Sequence, residues 1–143
     1  MTFKMKKIIT LILILVIAGT VYGQHTVDYI LKARAFTEGG KPDQAINLVN
    51  HALSETKESR LFTERADANM LKGDYSAAIS DFNEANKLTP FSGEYGLSRI
   101  YSLKGDAGTA LYHLEINMNS PFKKGEKEVL LDPAFSTIEN KQE

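Results

Sequence analysis

The sequence predicts an all-α fold, an α-solenoid of about three helix-turn-helix repeats, with a signal peptide before it and a short capping helix after it. Three observations predict it. A glycine turn recurs in phase at Gly40, Gly73 and Gly105, at spacings of 33 and 32 residues. Small and apolar residues flank each turn at helical intervals. The chain opens on three lysines and a long apolar run.

That opening comes first in the chain. Lys4, Lys6 and Lys7 form a positive region, Ile8 to Val21 is almost uninterrupted apolar sequence, and VYG before Gln24 supplies small residues where signal peptidase cuts. A membrane span needs roughly 20 apolar residues, more than this run holds before it ends in Gly-Gln. Residues 1–23 are therefore expected to be a cleaved signal peptide, with an uncleaved N-terminal anchor as the alternative. The body is then exported, to the periplasm or the cell exterior. The chain has no cysteine, which excludes lipid attachment at a signal-peptide cysteine, disulfides and thiolate metal sites.

The 143 residues carry a net charge of −1, and setting aside the three leader lysines takes this to about −4. A mild, evenly spread acidity argues against nucleic acid or an anionic membrane as the main partner. No Pro-, Gly- or Ser-rich linker divides the body, which reads as one unit.

The best-patterned repeat is LKGDYSAAISDFNEANKLTP, residues 71–90. Ala78, Ile79, Phe82, Ala85 and Leu88 fall three or four apart, on one helical face. Asp74 is a good N-cap, Gly73 can close the preceding helix in a left-handed conformation, and Pro90 stops the helix that follows. Leu61 to Lys72 reads as the partner helix, with Phe62 and Ala66 on one side. In the other turns, EGGKPDQAI and LKGDAGTAL, the same offsets hold. An alanine follows each glycine by five residues (Ala45, Ala78, Ala110), then an aliphatic (Ile46, Ile79, Leu111). A larger apolar group comes four past the alanine (Val49, Phe82, Leu114), and a small residue stands seven before the glycine (Ala33, Ala66, Ser98). One helix pair cannot cover its own apolar face, so pairs stack, and the small residues let neighbouring helices approach.

A unit of this length and pattern resembles the tetratricopeptide repeat (TPR) family, of the exported bacterial type. The resemblance covers roughly residues 26–122, in repeats of about 26–59, 59–92 and 91–122. In the second repeat Phe62 stands where the family has tryptophan, Gly73-Asp74-Tyr75 makes the turn, and Ala78 and Phe82 form the alanine-aromatic pair. The first repeat has Tyr29, Ala33, Phe36, Ala45 and Ala52 in register, with Lys57 in place of the proline. Leu97, Ser98, Tyr101, Gly105-Asp106 and Ala110 serve the third, but Asn117 takes its second small site, so its last helix is expected to end early. Asn69 is polar where the family prefers an aromatic. The tail, residues 123–143, resembles the Asp-Pro-x-Phe segments that follow repeats in exported TPR proteins. Val129, Leu130 and Leu131, then Asp132-Pro133 and the pair Phe135 and Ile138, suggest a short capping helix on the third repeat.

Templates for chemistry fail. His25, His51 and His113 are far apart, and none is read as having an acidic or histidine partner at helical ligand spacing, so no metal is expected. Gly39-Gly40-Lys41-Pro42 lacks the leading glycine and the Ser or Thr of a phosphate loop. No cofactor is called for, and the chain reads as no enzyme.

What the resemblance implies is a concave groove, lined by the first helix of each repeat, that holds a peptide or a partner's surface. Carried over, the lining is Val27, Ile30, Arg34 and Thr37, then Arg60, Thr63, Asp67 and Met70, then Ser92, Tyr95, Arg99 and Ser102. Arg34, Asp67 and Arg99 alternate in charge, and Tyr95 offers an aromatic anchor; with Arg60 these are the candidate partner-binding residues. The Lys and Asn clamp that some family members use for a C-terminal carboxylate is absent, since those sites hold Ile30, Arg34, Glu64, Ser92 and Gly96. The expected role is a protein–protein interaction module or scaffold of the cell envelope, with self-association through an uncapped end as a further expectation. The alternative is the N-terminal spacer or assembly module of a larger exported protein.

Overall fold

In the computed structural model, which describes residues 3–136, the described residues fold into helices without a strand. The order is α1 (Phe3–Glu38), α2 (Pro42–Glu55), α3 (Ser59–Leu71), α4 (Tyr75–Leu88), α5 (Glu94–Leu103), α6 (Ala107–Met118) and α7 (Glu126–Leu130), then a 3-10 turn at Pro133–Phe135. α1 packs on α2, α3 on α4 and α5 on α6, and α3 also touches α1 and α5. The fold is thus all-α, built from three consecutive helix pairs.

The three elbows are built alike because the glycines let them be. Gly40, Gly73 and Gly105 have φ of 69°, 79° and 78°, the left-handed region that ends helices cheaply only at glycine. After each glycine the next amide reaches back across the turn: Lys41 N–H to Phe36 O (2.8 Å), Asp74 N–H to Asn69 O (2.9 Å), Asp106 N–H to Tyr101 O (2.9 Å). The same two aspartates then start the following helix. Asp74 accepts from Ala77 N–H and Asp106 from Thr109 N–H, at 3.0 and 3.1 Å. The first elbow has no such side chain and starts its helix on Pro42 instead.

The repeated small sites are all core. Ala33, Ala66 and Ser98, and Ala45, Ala78 and Ala110, are fully buried, as are Val49, Ala52 and Ala85. Their size sets how closely the helices approach. A tight joint lies between α4 and α5, where the Phe82 ring fills the space a side chain at Gly96 would need: a Cβ there would stand 2.1 Å from Phe82 Cζ. A Cβ on Gly93 would strike the Phe82 carbonyl at 2.3 Å. Glycine at both positions is a packing requirement.

Polar ties lock the pairs together. Arg65 on α3 holds Asp81 on α4 through two bonds (2.9 and 2.7 Å) and reaches Asn50 on α2 at 2.6 Å. Asn86 on α4 accepts from Gly93 N–H and donates to Glu94, whose other oxygen lies 2.6 Å from His113 Nδ1 on α6. His113 also stacks flat on Tyr101. Such buried carboxylates are tolerable because each is paired and hydrogen-bonded.

α6 does end early, at Met118, and Asn117 is why. It is buried, donates to Phe122 O, and accepts from Lys124 N–H, so its amide turns the chain back toward α5. The expected capping helix is corrected in its details. α7 buries no residue, and Leu130 and Leu131 are 65% and 70% exposed. What covers the end of α5 is the 3-10 turn: Asp132 caps it by accepting from Ala134 N–H, Phe135 enters a cluster with Ala110 and Tyr95, and Ser102 Oγ donates to Ala134 O at 2.6 Å. Five residues of helix are too short to present a continuous apolar face, and the proline starts a turn tight enough to bury Phe135. Ile138 lies outside the described residues.

α1 runs without a break from Phe3 through the apolar segment into the first pair. Met5 and Ile8 to Ile14 expose apolar side chains along it, while Ile30 and Ala33 enter the core against α2 and α3. Among the described residues no helix is long and apolar enough to cross a membrane.

Candidate partner-binding groove

α1, α3 and α5 present side chains to one concave face, and the spacing on α3 shows how. Arg60, Thr63, Glu64, Asp67, Met70 and Leu71 stand at i, i+3, i+4, i+7, i+10 and i+11, which aligns them along one side of that helix. Two depressions open there, of about 630 and 340 Å³. Arg34, Arg60, Asp67, Tyr95 and Arg99, the candidates from the sequence, all border the smaller one.

Four residues border both depressions: Arg34, Glu64, Asp67 and Arg99. They form a septum of two ion pairs across the three helices. Arg34 grips Glu64 with both Nη2 and Nε, the latter at 3.4 Å from Oε2. Glu64 is only 5% exposed in its side chain, and its hydrogen bonds hold the Arg34 guanidinium proton more firmly than usual. Arg99 Nη1 donates to Asp67 Oδ1 at 3.2 Å. The groove walls keep water from the Asp67 carboxyl and push it up to about 6, against the pull of Arg99. Its side chain still keeps 38% of its surface open, so solvent tempers that effect.

Asp132, from the tail, completes the arrangement. Its Oδ2 lies 2.8 Å from Arg99 Nε and accepts from the Tyr95 hydroxyl, also at 2.8 Å. The first contact is one of charge, because the buried Nε–H is not aligned for a hydrogen bond. Tyr95 therefore holds its proton well above the usual phenol range, through burial first and the bond to Asp132 second. Lys124 Nζ sits over its ring at 5.4 Å, and Phe135 meets it edge-on.

Several expectations are corrected by this geometry. Ile30 and Ser102 do not line the groove: the first is in the core between α1 and its neighbours, the second is bonded to the tail. Arg34 does not alternate with Asp67 as a free charge but pairs with Glu64. Tyr95 borders the groove, yet its hydroxyl is already engaged. His51 does have an acidic partner one helical turn away, Glu55 at 3.6 Å, in an exposed pair, and His113 has Glu94 across the fold. Among the described residues no three metal-ligating side chains gather in one place.

Glu64 and Asp132 are the members left out of the candidates, Glu64 having been named only as a site of the absent carboxylate clamp. A signal for Glu64 existed, since it lies one turn before Asp67 on the same face. Asp132 carried only its helix-start signal, and nothing local says that the tail returns to α5. Comparison of the chain with family models, with curated proteins and with solved structures found no match.

Proposed function

We propose that this chain is an exported TPR solenoid of the cell envelope that acts as a protein–protein interaction module, holding a segment of a partner in its concave groove. One observation carries the reading. The five candidate residues, drawn from helices far apart in sequence, border a single depression. Arg60 adds a cation there that has no ion-pair partner among the described residues. The repeated elbows and small core sites support the TPR part, and the lysine-led apolar opening supports export. No catalysis belongs to this proposal.

The test is site-specific photo-crosslinking in the cell. A crosslinkable residue replacing Arg60 or Thr63 in the groove is expected to trap a defined protein adduct. The same residue replacing Gln44 on α2 or Asn83 on α4, both exposed, is expected to trap none. Equal trapping from both sets of positions would remove the groove from the proposal. Export with cleavage predicts a mature chain that begins at Gln24, and terminal sequencing that returns Met1 would refute cleavage.

A second reading, a spacer or assembly module with no ligand of its own, is favoured by one feature. Phe91, Tyr112 and Ile116 surround a depression of about 380 Å³ away from the groove, where Phe91 and Tyr112 are exposed. Such a patch suits contact with a further subunit. Crosslinks from Tyr112 and none from Thr63 would favour it.

A further inference from the structure

The septum divides the groove into two ends of opposite sign. Beyond it, the smaller depression contains Arg60 and Lys124 and no further acid. The larger one contains Glu38 and Asp132 and no further base, together with Met70, Leu71, Leu103, Pro133 and Ala134. The septum pairs are mutually neutralising, and Lys124 also pairs with Glu128 at 3.0 Å and Asp132 with Arg99 at 2.8 Å. Arg60 and Glu38, which have no ion-pair partner among the described residues, therefore set the sign at each end. Leu71 and Leu103 are both exposed apolar side chains at the acidic end. They stand at matching positions, two residues before the elbow glycines of α3 and α5.

The length follows from α3, which carries residues of both ends. From Arg60 to Leu71 it rises about 16 Å at 1.5 Å per residue. An extended chain covers that in roughly five residues at about 3.3 Å each.

Resting on the groove reading above, we infer that the partner segment is extended and dipolar. It places a carboxylate at Arg60, on the side where Lys124 lies, crosses the septum, and sets a cationic side chain at Glu38 with an apolar neighbour against Leu71 and Leu103. Charge complementarity fixes its direction and register in the groove, and the exposed leucines take the apolar neighbour. A uniformly acidic or uniformly basic segment meets a like charge at one end.

Three synthetic peptide pools test this on the full chain. Each has three random middle positions; the first opens on Asp and closes on Lys-Leu, the second has Asp at both charged positions, and the third has Lys at both. Binding is read by fluorescence anisotropy, with a crosslinker at Thr63 reporting that the groove is occupied. The acid-base pool is expected to bind about fivefold more tightly than either like-charged pool at low salt, an advantage that shrinks at high salt. The double variant Arg60→Glu with Lys124→Glu changes two exposed or partly exposed side chains, and circular dichroism checks its fold. It is expected to move the preference to the all-Lys pool. Equal binding of the three pools with crosslinking at Thr63 would overturn the dipolar segment and leave the groove standing. No crosslinking with any pool, while a partner is trapped from the cell at Thr63, would overturn the short extended segment alone. Crosslinking absent in both would sink both readings.

Discussion

Gly96→Ala is the most direct probe of how the second and third helix pairs are joined. The new methyl would stand 2.1, 2.2 and 2.5 Å from Phe82 Cζ, Cε1 and Cε2, so the ring must withdraw by more than about 1 Å to reach ordinary contact. It has little room, because Phe82 is almost fully buried among Ala66, Ala78, Leu97 and Ile100. Its backbone cannot follow, since Gly93 already rests on its carbonyl. Overpacking of this kind costs about 1–3 kcal/mol. Alanine recovers up to about 1 kcal/mol relative to glycine in a helix interior and less at Gly96, in the first turn of α5. The net expectation is a loss of about 1–2 kcal/mol, read as a lower urea midpoint at unchanged slope. Phe82→Leu removes the clashing ring tip, so the two changes should be coupled by about 1 kcal/mol or more in a double-mutant cycle. A Gly96→Ala chain as stable as the parent, or more so, would refute the reasoning, because only the helix-propensity gain would then be visible. Gly96 and Phe82 also border the smaller depression, so crosslinking from Arg60 should fall in the single variant and return in the double.

Asp67 makes stability depend on pH in an uncommon direction. Its folded pKa, raised from 3.8 to about 6, means that the folded chain takes up a proton between pH 6 and 4 before the unfolded chain does. This group therefore stabilises the fold as pH falls through that window and withdraws the contribution as pH rises. Asp67→Asn should flatten the window by something on the order of 1 kcal/mol, discounted for the exposed part of the side chain; urea midpoints at pH 7 and 5 that shift in parallel in parent and variant would contradict it. Phe91 is the one described non-glycine residue with positive φ, at 72°, a conformation that costs a bulky residue about 1 kcal/mol or more. Phe91→Gly should raise thermal stability despite the lost ring, and a lower melting temperature would show that the exposed ring packs usefully.

The elbows and the small sites could be read from the sequence because their cause is local. A left-handed turn wants glycine, a helix start wants aspartate, and a close crossing wants alanine, so Gly73, Asp74 and Ala78 announce themselves. The groove positions came from the family resemblance instead, which is why Arg60 and Asp67 were named together. What stayed hidden depends on contacts between distant segments. The partner of Arg34 is Glu64, thirty residues on, and a carboxylate two helices later gives no sign of which guanidinium it will meet. Arg65 with Asp81, and Glu94 with His113, are chosen the same way. The tail misled for a different reason. Leu130 and Leu131 look like core residues by hydrophobicity, but the turn at Asp132 spends the available contact on Phe135. Ile30 was assigned to the groove by its place in the repeat, and lost it to the core, where it packs in one cluster with Ala33, Val49 and Leu61.

The uninterrupted course of α1 has a mechanical consequence. A 36-residue helix is about 54 Å long at 1.5 Å per residue, and it contains no proline or loop to act as a joint. Its last turns belong to the first helix pair, and Arg34 and Thr37 on them border the groove. For as long as the helix is whole, anything that grips its first turns also aims the groove, as a shaft aims the tool fixed to its end. Cutting the shaft after Gly23 would leave the groove its shape and take away its bearing.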